Sequence, residues 1–477
     1  MRLLAVCSFS LVLAACNATY SNPTPAGRFY FPTGLAHVDV PGSSNGALFV
    51  ANSNWDRRYS AGSVTAVNLD EVALPAFGAA VSGGPKEVTD LGGAPTAQIT
   101  MFSGELAVLE RGNGQFRVFV PSRSEGMKFQ AVDAVFNGGA TLSCFPAGPS
   151  DNPTDCGTNA PSLSPANLES TTEGVPRAAQ PYGVSVRARV CTTADDCGSG
   201  RACSSGGVCL DAQGGSMADL YVTHLAQVDS PLGSLANYRG YLVHLESDQM
   251  TVDATNFVNI GNGASSSAVT GQRWTYVTGR YLAPNANLLR LVDRAGNVLT
   301  TGLEGAFRVL DSRGVALGSN EARLYVIGRN PDVLLVMGIA SPDTASPSVG
   351  VIHSIPLPVS PEELVVIPRA GRGDLVAITC SGAPTGQLTG ALAIYDEDVG
   401  QLVAQVSALG LQPFGVTVDR RGNGARFFVS DFGDGRVAVV DVPELDRAQD
   451  ARLVAHLGES QLCLTQASQT AGCVVTQ

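Results

Sequence analysis

Four cysteines recur every six residues, Cys191, Cys197, Cys203 and Cys209, within CTTADDCGSGRACSSGGVC. Thiols at that density pair oxidatively or hold a metal ion. The even spacing lacks the C-x₂-C knuckle of a zinc site, so two disulfides are expected here rather than zinc. Spacing alone leaves the partners open; first to third and second to fourth is the order we expect. Cys144 and Cys156 bracket a Pro-rich loop and Cys463 and Cys473 bracket the tail, and closing either loop would stabilise the fold by about 2–3 kcal/mol. Cys380, alone in the apolar run DLVAITC, reads as a buried, inert thiol.

Other chemistry is sparse. H-E-x-x-H, G-x-S-x-G and a Walker-type glycine loop are all absent, which removes the main zinc-protease, serine-hydrolase and nucleotide-hydrolase signatures. The five histidines, His37, His224, His244, His353 and His456, are scattered, and lone strand histidines are more often packing residues than ligands. Asp431 in DFGDG and Asp419 in DRRGNG read as hairpin turns, since a calcium loop needs a ladder of oxygen ligands. The most distinctive stretch holds Asn52, Asn54, Trp55, Asp56, Arg57, Arg58 and Tyr59. Exposed Trp, Tyr and Arg dominate protein-interaction hot spots and also stack on sugars, so this loop is expected to be a contact surface.

What must position these side chains is a repeat. PFGVTVDRRG, ARFFVSDFGD, GRVAVVDVPEL and ARLVAHLG follow one another from Pro413 to Gly458, each short, rich in Val or aromatics and divided by Gly, Asp or Asn, the pattern of one antiparallel meander. A first unit repeats it from Pro32: PTGLAHVDV, ALFVAN, GSVTAVNLD and a weaker PKEVTDL. A second runs APTAQITMF, ELAVLER, GQFRVFVPS and KFQAVDAVF. Units opening at PYGVSVRARV, SSAVTGQ, AFRVLDSRG and EELVVIPR complete seven. Middle strands such as LFVA and LYVI are apolar on successive residues, as expected where sheets cover both faces of a sheet. The expected fold is all-β, a seven-bladed β-propeller over residues 29–458 with disulfide-stapled loop inserts at 138–179 and 190–210. An array of two-sheet sandwiches would need linkers, and none divides the strands. Phe29 to Phe31 is a candidate outer strand for the last blade.

The opening Pro-x-Gly of three units (Pro32, Pro181, Pro413), with LFVAN-like second strands and GxVxVxD-like third strands, resembles the YVTN and NHL types of β-propeller. The knob at 190–210 resembles the small Cys-rich inserts, with a DxxC-x-x-G-x-x-C rhythm, of many bacterial surface proteins. The propeller resemblance implies that loops between blades and between second and third strands share a top face, with first-to-second loops at the bottom, so the two inserts would decorate opposite faces. Asn52, Glu110, His224, Gly279, Gly328, Thr379 and Asp431 would then end the second strands around the channel mouth, followed in three blades by Arg111, Arg280 and Arg329. Strand ends are polar there without any ligand. Propellers of this resemblance include metal-dependent lactone hydrolases. An enzyme of lactonase or lyase type is therefore the alternative, resting on Asn52, Glu110, His224 and Asp431 around one divalent metal at the top of the central channel. On the main reading no catalytic residue and no cofactor is expected.

Arg2 precedes a 13-residue apolar core, Leu3 to Ala15, which is too short for the roughly 20 residues of a membrane-crossing helix and suits a signal peptide at residues 1–15. It ends in Leu13-Ala14-Ala15-Cys16, which resembles the bacterial lipobox, whose cysteine is diacylated and becomes the mature N-terminus. Two or three acyl chains make such an anchor stable; an ordinary secretory cleavage nearby is the alternative. The resemblance implies a lipidated tether at 16–28, and Asn17 rather than Asp after the cysteine implies the outer membrane, facing the periplasm or the cell surface. Paired cysteines suit that oxidising compartment. Hydrophobic residues are 44% and charged residues 15% of 477, with Gly 54 and Pro 27, which excludes a disordered chain, a coiled coil or a helix bundle. The formal charge of −12 provides no chain-wide basic field for nucleic acid or anionic lipid. The chain thus reads as a binding or scaffold module of the cell envelope for a protein or glycan partner. It would meet the membrane through its anchor only and carry a disulfide-closed tail at 459–477.

Overall fold

Seven four-stranded antiparallel meanders stand around a central axis. The computed structural model describes residues 22, 24–124, 127–163, 180–225, 240–261, 264–280, 288–303, 311–382 and 390–460; the signal segment, Cys16 and the Cys463 and Cys473 pair lie outside them. The innermost strands are Pro32–Val38, Ala107–Gly112, Pro181–Ala188, Ala264–Thr270, Asp311–Leu317, Pro361–Ile367 and Pro413–Arg421. The last of these packs on the first, which closes the ring. Among the described residues, helix is confined to short 3₁₀ turns such as Ala194–Cys197 and Leu445–Asp450.

Burial follows the apolar runs. Ala47–Asn52, Leu375–Cys380, Gly424–Asp431 and Arg436–Val442 are buried at every residue, because each middle strand has a neighbouring blade on both faces. The outer strand Ser348–Pro356 alternates exposed and half-buried positions. The cores therefore lie between blades: Leu48 and Val50 of blade one meet Phe428 and Val439 of blade seven, and Leu375 and Ile394 of blade six meet Phe427 and Val440 on the other side. Each such side chain contributes about 1.5–3 kcal/mol on burial.

The Pro-x-Gly signature has a steric cause. After Pro32 pairs with Asn52 the register slips, resuming at Leu35 with Val50, and the same slip follows Pro181, Pro361 and Pro413. A Cβ on Gly34 would stand 2.5 Å from the Leu106 nitrogen, and one on Gly415 would stand 2.2 Å from the Thr33 oxygen. Only glycine lets neighbouring innermost strands approach so closely. Hydroxyls near the ends of second strands then stitch blade to blade: Thr278 Oγ1 donates to Arg313 O (3.2 Å), Thr379 Oγ1 to Phe414 O (2.5 Å) and Ser430 Oγ to Thr33 O (3.1 Å).

Blade two begins one strand later than its residues suggest. Thr96–Ile99, within APTAQITMF, is the outer strand of blade one, paired with Gly62–Asn68. Blade two consists of Ala107–Gly112, Gln115–Pro121, Phe129–Phe136 and Ala140–Phe145. Its opening glycine is Gly104, whose Cβ would lie 2.0 Å from Tyr182 O, but Phe102 stands where other blades place proline, so the opening is disguised. The insert between blades two and three accordingly starts after Phe145, not at residue 138.

Lys86–Val88, expected as the fourth strand of blade one, instead runs parallel to Arg452–Leu457 as a fifth strand on blade seven. Val88 enters the core shared by blades one and seven. Glu87 fastens the addition, accepting from Arg436 Nη1 at 2.9 Å and lying 3.0 Å from His456 Nδ1. That outer edge being occupied, Phe29 to Phe31 forms no strand. Phe29 is buried against Gly458, and the Tyr30 nitrogen donates to Asn52 Oδ1 at 3.1 Å.

Disulfides join Cys191 to Cys203 and Cys197 to Cys209 in the bottom-face knob, and Cys144 to Cys156 in the upper insert. The second loop lies along the outer strand of blade one, with Cys156 N donating to Gln98 O at 2.9 Å and Gln98 N to Thr154 O at 2.8 Å. Cys380 is a buried free thiol, pushed up to about 12 by that burial.

Candidate functional site at the channel mouth

The mouth lies where innermost strands begin and second strands end, at the pairs Pro32 with Asn52, Pro181 with His224 and Pro413 with Asp431. Asn52 is fully buried, and its amide nitrogen donates to Ser63 Oγ (3.0 Å) and Thr65 Oγ1 (3.2 Å) while its oxygen holds Tyr30. It positions the N-terminal segment and is buried beneath the loop expected as the contact surface, with no exposed atoms of its own to offer there. His224 is buried near Phe257, and burial brings its pKa down to about 4, so the imidazole is neutral. Asp431 is fully buried; burial first, then the neighbouring Asp434, pushes its carboxyl well above the usual range.

Glu110 is the clearest displacement. With blade two shifted, it sits near the far end of an innermost strand, exposed on the bottom face. Arg111 follows it there and pairs with Asp211 beside the Cys-rich knob. Asn52, Glu110, His224 and Asp431 therefore do not converge on one point. Arg329 pairs with Glu362, Thr379 serves the blade junction, and the Arg280 side chain lies outside the described ones. Among the described residues, two sets of three ligand-type side chains come within 4.8 Å: Cys191, Cys197 and Cys209, already in disulfides, and His37, Asp39 and Asp419 on the bottom face. Asp419 is there held by Arg421 Nε at 2.6 Å.

The loop after Asn52 is built to present side chains. Asn54, buried and at φ 51°, braces it by accepting from Tyr59 N (3.1 Å) and donating to Tyr59 O (2.7 Å). Tyr59 turns inward onto Tyr30, ring centroids 4.9 Å apart. Trp55 stays 48% exposed, its edge against Phe102 (5.2 Å) and Phe432 (6.0 Å). The aromatic contacts continue from Phe432 to Phe414 and Tyr182 at 6.1 and 6.4 Å, a collar drawn from blades one, three and seven. Arg57 lies over Phe102 at 5.2 Å, and Arg123 lies over Trp55 at 5.4 Å. Asp56 and Arg58 form an ion pair at 3.0 Å. Beside the collar opens a cleft of about 600 Å³, lined by Arg57, Phe102, Arg123, Lys128, Asp155 and Thr158 among others.

Carboxyls gather where blades two, five and six open: Glu105, Asp311, Glu362 and Glu363. Burial, then the charge of Glu363, pushes Glu105 well above the usual carboxylate range; burial likewise raises Glu363 to about 8. Val416 N donates to Glu363 Oε2 at 3.1 Å. Arg313 pairs with Asp311 at 2.9 Å, and Ser381 Oγ donates to Glu362 Oε1 at 3.0 Å. Phe102, Glu105 and Lys128 escaped the sequence reading because the first two lie in a connection taken for a strand end. The signal that exposes them is Gly104, the glycine of a blade opening.

The bottom face carries a second cleft, about 870 Å³, beside the Cys-rich knob. Its centre is buried Asp219, held by Arg189 (2.7 Å), Arg294 (3.2 Å) and His244 (3.3 Å). Burial alone would raise that carboxyl; the bonds from His244 and Arg189 prevail and bring it down to about 2. Four arginines, Arg187, Arg189, Arg273 and Arg294, face four acids there, Asp219, Asp293, Glu321 and Asp343, so the cleft is balanced in charge.

Fold and closure together make this a seven-bladed β-propeller. No known protein-family profile matches the chain, and no curated protein is similar to it. Among solved structures, a functionally unknown protein from Desulfotomaculum acetoxidans aligns with a TM-score of 0.43 at 11% identity, covering 83% of this chain and 94% of its own. A putative 6-phosphogluconolactonase from Bacteroides uniformis aligns at 0.41 and 11%, over 78% of this chain and 83% of its own. A lectin from Burkholderia pseudomallei aligns at 0.44 and 12%, over 90% of this chain and 100% of its own. At these levels nothing about ligand or activity passes to this chain.

Proposed function

We propose that the protein is a lipid-anchored propeller of the cell envelope that acts as a binding or scaffold module, using its top-face rim to engage a protein or glycan partner. Acyl chains on Cys16 hold it at the outer membrane, and the rigid ring displays the loops. One observation carries the reading: Trp55, half exposed on a loop braced by Asn54, stands with Arg57 at the edge of a cleft lined by Phe102, Arg123 and Lys128. A rigid aromatic with neighbouring arginines is the composition of an interaction hot spot. Asp56 and Arg58 complete the loop, while Tyr59 supports it from below.

Capture from envelope extracts by the chain lacking residues 1–16 tests this. Trp55→Ala is expected to weaken capture by about thirtyfold, the size of a hot-spot loss, with unchanged melting. Equal capture by the variant discards the loop as the contact site. Metal analysis of the same material addresses the lactonase alternative, which requires a stoichiometric divalent ion lost in Glu110→Ala or Asp431→Ala.

A further inference from the structure

The chain leaves the propeller at the same rim. Asn22 accepts from Ser60 N at 3.0 Å and donates to Arg58 O at 3.4 Å, and Thr24 Oγ1 donates to Ala61 O at 3.5 Å. These contacts fall on the loop that displays Trp55, so the tether emerges on the top face. From Cys16 to Asn22 there are six backbone steps, which span at most about 20–22 Å when fully extended. If Cys16 carries the acyl chains, the Trp55 rim is held within that distance of the headgroup layer, and the Cys-rich knob points away from it.

Charge in the two clefts differs in the matching sense. The top cleft brings Arg57, Arg123 and Lys128 together with one acid, Asp155. Asp155 is itself tied down by Gly157 N (3.0 Å) and Thr158 Oγ1 (2.6 Å). Lys128 Nζ donates to the Ala160 carbonyl at 2.8 Å, which leaves its charge in place. This local surplus arises in a chain of net −12, whereas the bottom cleft is balanced. Screening over about 8–10 Å makes the nearby cations, not the chain total, what a surface in contact feels. Tryptophan with Arg and Lys is also the set that settles at the headgroup level of a bilayer.

We infer that the rim faces the membrane that holds the anchor, and that Trp55, Arg57 and Lys128 take an anionic lipid headgroup of that membrane. This rests on the lipid-anchored reading and puts the bilayer surface, in place of a protein or glycan, as what the rim engages. Contact is then made by the rim as well as by the acyl chains.

The two tryptophans make the test clean. Trp55 is exposed on the top face, and Trp274 is buried at the start of the second strand of blade four, on the bottom face. The full-length acylated chain is placed on phosphatidylcholine vesicles containing a headgroup-nitroxide lipid, with or without phosphatidylglycerol, and its emission is read after flotation. The expected result is strong quenching, greater with phosphatidylglycerol, that disappears in Trp55→Phe. In Arg57→Gln with Lys128→Gln the phosphatidylglycerol increment is expected to vanish, since each basic residue near such a surface accounts for about fivefold in binding. A chain that floats with the vesicles but keeps its full Trp55 emission overturns the inference and leaves the anchor standing. Quenching indifferent to phosphatidylglycerol and to both substitutions overturns the headgroup assignment. A chain that does not float overturns the anchor and this inference with it. Full emission on vesicles, together with Trp55-dependent capture from extracts, would retain the binding reading and reject this one.

Discussion

Replacing Arg426 by Met removes the buried cation that holds the segment leading into Lys86–Val88. Arg426 and Asp441 face each other across the second and third strands of blade seven, with side chains 2% and 0% exposed. The guanidinium donates to Asp441 Oδ1 at 2.7 Å, to Asp441 Oδ2 at 2.9 Å and to Pro75 O at 3.0 Å. All three bonds vanish in the variant, leaving Asp441 only the Gly78 nitrogen at 3.0 Å. A fully enclosed carboxylate stripped of its countercharge is expected to destabilise the fold by about 3–5 kcal/mol. The double change Arg426→Met with Asp441→Leu removes the uncompensated charge and should restore most of that loss, because a buried pair is often matched by apolar residues of similar volume. Equilibrium urea unfolding of the three chains gives the cycle. Limited proteolysis adds a local readout: Pro75 and Gly78 lead into Lys86–Val88, so cleavage between residues 70 and 85 should rise in Arg426→Met before global unfolding. A single variant within about 1 kcal/mol of the native chain, or a double variant worse than the single, would refute the reasoning.

Gly415→Ala should lower stability by about 1–3 kcal/mol, since its Cβ would lie 2.2 Å from a backbone oxygen where blades one and seven meet and neither strand can give way. Gly350→Ala, on an outer strand with nothing within 4 Å, is the control and should fall within about 0.5 kcal/mol by the same unfolding assay. Stability should also depend on pH through Glu363. Its folded pKa is raised from 4.5 to about 8, so its contribution is complete below the lower value and lost as pH climbs through the upper one. His224 works oppositely, its pKa lowered from 6.5 to about 4, so its contribution is lost as pH falls across that window. Glu363→Gln should lessen the alkaline decline, to which the raised Glu105 and Asp431 also contribute, and leave the acidic one; an unchanged profile from pH 5 to 8 would show that Glu363 ionises freely in the channel.

Much of the ring was legible because its grammar is local. Residues such as LFVAN and LYVIG announce strands covered on both faces, and Pro32, Pro181 and Pro413 announce blade openings. The opening of blade two was hidden because Phe102 stands in the proline's place, while the glycine that performs the steric work, Gly104, looks like any turn glycine. Glu110 moved from mouth to bottom face through that single missed boundary. Lys86–Val88 was recognisable as a strand but not as a strand of blade seven, since its partner, Arg452–Leu457, lies more than 350 residues away in the chain. The Trp55 loop stood out by composition. That Asn52 is internal and Tyr59 inward-facing is visible only once Tyr30 folds over them.

The sequence by itself determined that this is an all-β chain of seven meanders with stapled inserts, because pleat alternation, turn residues and cysteine spacing are properties of short segments. Tertiary structure decided which polar residues share a space: the collar around Phe432, the paired carboxyls of Glu105 and Glu363, and the exit of the tether beside Trp55. Closing a circle brings residues from distant blades within a few ångströms, and no periodicity along the chain encodes that distance.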